Sequence, residues 1–98
     1  MLSRETLSPC VGQAFELESA EGLFLPLVLV ECVALLQGRG YPGSREPFSL
    51  VFESPVRPHW PQGNFRLHHA QLPPQVLFVV PLGPAPHSGQ MRYQAIFN

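Results

Sequence analysis

The chain contains no lysine and no aspartate, so all of its side-chain charge comes from six Arg and seven Glu in 98 residues. This argues against nucleic acid as a partner, because phosphate binding needs a clustered basic surplus and the net charge here is −1. It also leaves a surface with less mixed charge than soluble domains usually carry, and therefore room for apolar patches. Cysteine is scarce as well. Cys10 and Cys32 are too few for the disulfide framework of a small secreted domain, and the expectation is buried free thiols in a reducing compartment. No long hydrophobic run is present: Leu23 to Leu36 is the longest, and it contains Pro26 and Glu31 and falls short of the roughly 20 residues that span a bilayer. Met1 to Glu5 runs into polar residues, unlike a secretory leader. Together these absences lead to the expectation of a cytoplasmic protein with no membrane segment.

What is present is a chain of one-domain size, read as a single small β domain over 1–98, with enough length for one core and little left for an elaborate catalytic cleft. Twelve Pro and eight Gly punctuate it. Ser3 is placed to cap a short helix over Arg4 to Ser8, with Leu2 and Leu7 as a hydrophobic staple and Pro9 and Gly12 ending it. From Ala14 the period becomes two, with Phe15 and Leu17 on one side and Gln13, Glu16 and Glu18 on the other. Ser19 to Gly22 reads as a turn. Leu23 to Leu36 is apolar on both strand faces; its β-branched residues and internal Pro26 favour one long or bent strand over a buried helix ending at Gly38.

Further along, Phe48 to Glu53 alternates with Phe48, Leu50 and Phe52 inward. Pro55 to Pro61 cannot be a central strand because each proline lacks a backbone donor. Asn64 to His69 alternates again, Pro73-Pro74 is expected to break the chain, Val76 to Val80 is a strand apolar on both faces, Pro81 to Gly89 is a loop, and Met91 to Phe97 is the last strand. Six short strands between turn-rich segments predict an all-β fold, a small antiparallel barrel or sandwich with a short N-terminal helix. Phe15, Phe48, Phe52, Phe65, Phe78 and Phe97 are expected to fill its interior. The two doubly apolar strands need a cover, either the helix and loops or another subunit.

Charge is uneven along the chain. Residues 1–53 hold all seven Glu against Arg4, Arg39 and Arg45, a balance of −4, whereas residues 54–98 hold Arg57, Arg66 and Arg92 and no acid, a balance of +3. Such a division suits head-to-tail association, but small β folds commonly interleave their halves, and the expectation is that the asymmetry cancels in space.

Four stretches carry a resemblance: Pro47-Phe-Ser-Leu-Val-Phe52, Pro61-Gln-Gly-Asn-Phe-Arg-Leu67 with His69, Leu77-Phe-Val-Val-Pro-Leu-Gly-Pro84, and Met91-Arg-Tyr-Gln-Ala-Ile-Phe-Asn98. With Gly12-Gln13-Ala14-Phe15 they make nearly the whole chain similar to a bacterial family of small single-domain proteins of unknown function. That resemblance implies no catalytic residue.

The chemistry-bearing motifs are therefore judged on their own. Gly38-Arg-Gly40-Tyr-Pro-Gly43 spells GxGxxG, but a strand rather than a phosphate-receiving helix follows it, and a hairpin loop is the better reading. His68 and His69 point to opposite faces of a strand, no CxxC or HxxxH spacing exists, and no serine sits in a GxSxG context. Neither cofactor nor metal is expected, and an enzyme is the least favoured class. Glu31 is read as a strand bend whose side chain reaches water rather than as a buried carboxylate paired with Arg66 or Arg92. Pro55-x-x-Pro58-x-x-Pro61 is read as a rigid connection that displays Arg57, His59 and Trp60, which with Val76 and Val80 form the candidate interaction surface. The expected function is a non-catalytic protein-interaction or structural module, an accessory of a larger bacterial assembly with a protein partner or a second copy of itself, with a small hydrophobic-ligand carrier as the alternative.

Overall fold

A computed structural model describes residues 3–35, 47–55, 57 and 59–97. Leu2, Leu36 and the glycine loop Gly38 to Gly43 lie outside the described residues. The chain opens with α1 (Arg4–Leu7) and a 3-10 turn (Ser8–Cys10), followed by β1 (Ala14–Glu18), β2 (Phe24–Ala34), β3 (Phe48–Ser54), β4 (Gly63–His69), β5 (Leu72–Pro84) and β6 (Met91–Phe97). The strands close into an antiparallel barrel in the order β1-β2-β3-β6-β5-β4. Closure removes both sheet edges.

Each element forms for a reason visible in its residues. The Ser3 hydroxyl accepts the Thr6 N–H at 3.2 Å, the cap expected of that serine, and Leu7 and Cys10 bury into the core. Gly22 takes φ +81° and donates to the Ser19 carbonyl, closing the β1–β2 turn. β2 is one long strand bent by a register shift between Leu29 and Glu31. Glu31 sits at that bend and is exposed, as expected of a carboxylate turned toward water.

The interior is packed with side chains. Phe15 meets Phe52 edge-on at 5.5 Å between ring centres, Phe48 stacks on Phe97 at 4.6 Å, and Leu17, Leu25, Leu29, Leu50, Val79 and Tyr93 are fully buried between them. Alternating inward residues of a small barrel fill it in this way. Two buried polar groups are satisfied by long-range bonds. Ser54 Oγ donates to the Pro26 carbonyl at 2.6 Å, and the Tyr93 hydroxyl accepts the Trp60 N–H at 3.0 Å.

Three expectations are corrected. Pro73-Pro74 and the segment after Pro81 do not end the strand: β5 runs through all of them to Pro84. Register shifts occur between Leu67 and His69 opposite Pro73-Pro74, and between Pro81 and Gly83, so the prolines fall where the ladder is already interrupted, and Gly83 supplies φ +97° at the second shift. Phe78 is not an interior residue. Val79 pairs with Ala95 and both are buried, which turns Phe78 outward, where it is 53% exposed. Finally, the two halves of the chain do not interleave. β1, β2 and β3 are consecutive around the barrel, as are β6, β5 and β4, so the acidic and basic halves of the sequence become the two halves of the barrel.

Candidate interaction surface

The interior is packed with side chains, so grooves and exposed groups lie on the outer surface. Three regions of it differ in chemistry.

The first is an apolar stripe. Val33 pairs with Ser49, and Ser49 with Ile96; one residue along from the Val79–Ala95 pair, Phe78 lies beside Ile96. Val33, Ile96, Phe78 and, further along β5, Val76 are each about half exposed although aliphatic or aromatic. The turn between β5 and β6 folds back over part of this face. Ala85 to Ser88 share a groove of about 270 Å³ with Val51, Glu53 and Arg92, and Ser88 Oγ donates to Glu53 Oε1 at 3.2 Å. Val51, on that groove, is buried, whereas Val33, Ile96 and Phe78 are about half exposed.

The second region is the connector between β3 and β4. Arg57 and His59 are exposed, and they share a groove of about 290 Å³ with Pro55 and the Ser88–Met91 segment. Trp60 is half-buried instead of displayed: its ring packs on Phe65 at 5.1 Å between ring centres, its backbone N–H donates to the Tyr93 hydroxyl, and it rests against the core. Of the residues expected to form one surface, Val76 is exposed and Val80 half-buried on β5, and they belong to the stripe; Arg57 and His59 stand apart from it.

The third region escaped sequence reasoning. A groove of about 630 Å³ runs over β1, β2 and the end of β4, lined by Ala14, Glu16, Pro26, Val28, Pro55 and both His68 and His69 over a floor that includes Phe15 and Leu27. The two histidines leave β4 in different directions, as the alternation requires. His68 Nε2 pairs with Glu18 Oε1 at 2.8 Å, while His69 turns over the Phe15 ring. The Gln71 N–H donates to His69 Nδ1, so the ring proton sits on Nε2 and is donated to Gln13 Oε1 at 2.6 Å. Both imidazoles are thus engaged by the protein itself. Among the described residues no three His, Cys or Glu side chains converge as metal ligands. The only signal that could have located this groove was the adjacent pair of histidines beside a strand end.

Both cysteines are free. Cys32 lies at the edge of the core, and its thiol is pushed above the ordinary value mainly by burial, with Cys10 and Glu5 adding to the rise and Arg4 opposing it. A thiol so placed carries little thiolate and is a poor nucleophile.

Fold and surface together define a closed, six-stranded antiparallel β-barrel whose interior is core and whose exterior is divided into apolar, acidic and basic regions. The sequence matches the family described as domain of unknown function (DUF6916) over residues 2–97, and the chain belongs to that family. No curated protein and no solved structure matches it. Among the described residues, no helix is long and apolar enough to cross a membrane.

Proposed function

We propose that this protein is a non-catalytic interaction module that docks another protein on the stripe of Val33, Phe78, Ile96 and Val76, as a cytoplasmic accessory of a larger bacterial assembly. The observation that supports this most is the half-exposure of Phe78 and Ile96, side by side on a barrel that buries Val51 but not them. Large apolar side chains grouped on a monomer's surface mark binding sites, and covering a Phe that is half in water contributes about 1 kcal/mol. Closure of the barrel rules out strand addition at an edge, so the partner meets side chains.

A photo-crosslinking residue placed at position 96 in the host tests this. A discrete protein adduct is expected from position 96, lost when Phe78→Glu is added, with none from the control position 21, exposed in the β1–β2 turn. Equal adducts from both positions would sink the reading. The ligand-carrier alternative draws on the 630 Å³ groove; the packed interior offers it no room.

A further inference from the structure

Residues of opposite charge stand at facing ladder positions along both seams. Where β1 meets β4, Glu18 faces Arg66 and bonds His68; where β3 meets β6, Glu53 faces Arg92. Glu16, which faces His68 in the β1–β4 ladder, and Arg57, beyond the end of β3, are placed differently. Neither side chain has a hydrogen-bond or ion-pair partner among the described residues, and both residues are exposed.

Their surroundings are complementary. Glu16 supplies the carboxylate of the 630 Å³ groove, whose other walls are Ala14, Pro26, Val28 and Pro55 and which contains no arginine. His68 and His69 are held by Glu18 and Gln13, so neither competes for Glu16. An apolar channel with one free carboxylate suits a guanidinium on an aliphatic stem, which covers apolar surface while its head pairs with the acid. Arg57 is such a group, exposed in a groove that it shares with Pro55. Pro55 lines both the acidic groove and the groove of Arg57 and His59, so the two patches adjoin at one side of the barrel.

We propose that two copies of this chain pair about a two-fold axis, the Arg57 connector of each seating in the Glu16 groove of the other. Adjoining patches of opposite charge are self-complementary, which is what a closed, isologous dimer requires. Neither groove is lined by Val33, Val76, Phe78 or Ile96, so the pairing does not use the apolar stripe. The inference is independent of the stripe, and each can fail alone.

The test is sedimentation equilibrium of the wild type, Glu16→Arg, Arg57→Glu, and the two variants mixed. The wild type is expected to move from 10.9 kDa toward twice that mass as concentration rises, and to move back with added salt. Each variant alone is expected to stay monomeric, with unchanged circular dichroism. Their mixture restores the dimer, because one Arg57–Glu16 pair is retained and the other is remade with its charges exchanged. A wild type that stays monomeric at about 1 mM, the weak end of specific association, overturns the proposal. So do single variants that still dimerise, or a ladder of higher oligomers, which would mean head-to-tail growth instead of a closed pair.

Discussion

The two half-barrels share one interior and differ outside. β1, β2 and β3 carry Glu16, Glu18, Glu31 and Glu53, whereas β4, β5 and β6 carry Arg66 and Arg92 and no acid. Their inward residues are alike, large and apolar in both, so packing treats the barrel as one body while the field around it does not. The difference teaches where to look for function. A core built equally from both halves explains stability, and the unmatched exterior is what another molecule can read.

Breaking what the halves share has the largest effect. Phe52→Ala removes the β3 ring that meets Phe15 of β1, and is expected to cost about 3 to 5 kcal/mol in urea unfolding. Retained stability with loss of a bound apolar dye would mean the interior is a ligand cavity. Next comes the Tyr93 hydroxyl, which ties β6 to the β3–β4 connector. Tyr93→Phe strands the Trp60 N–H and is expected to lower stability by about 1 kcal/mol, with greater hydrogen exchange at that amide.

Outside the core the effects on stability shrink. Phe78→Ser, on the stripe, is expected to change the unfolding free energy by less than about 0.5 kcal/mol while removing partner binding. Glu18→Gln replaces the carboxylate that His68 Nε2 meets at the β1–β4 seam, and because both side chains are about 30% exposed the loss is at most about 1 kcal/mol. The smallest change is a rate. Cys32 titrates above the ordinary thiol value of 9.0 because it is buried, so its alkylation in the folded protein should rise only at higher pH than in denaturant. Coincident profiles would place the thiol in water.

Much of this architecture was legible before any coordinates. Alternation gave β1, β3, β4 and β6, and Ser3 and Ser19 announced the helix cap and the first turn. The bend at Glu31 followed from a carboxylate inside an apolar run. Other features were hidden for physical reasons. Val76 to Val80 is apolar at every position, so it has no phase of its own; pairing of Val79 with Ala95 decides that Phe78 faces out. Prolines argue against a strand only where the ladder is continuous, and the shifts beside Pro73-Pro74 and Pro81 remove that objection. Strand order is a long-range property, so the segregation of charge could not be read from the local pattern. Trp60 looked like a displayed aromatic because nothing local shows that Phe65 and Tyr93 hold it.

The central claim is that this barrel works through its outside. Native mass spectrometry of the protein purified from its own host tests that most directly, with Phe78→Glu measured in parallel. The account predicts a second protein species retained by the wild type and absent from the variant. A chain heavier only by a small-molecule mass, in wild type and variant alike, would contradict it and make the protein a carrier.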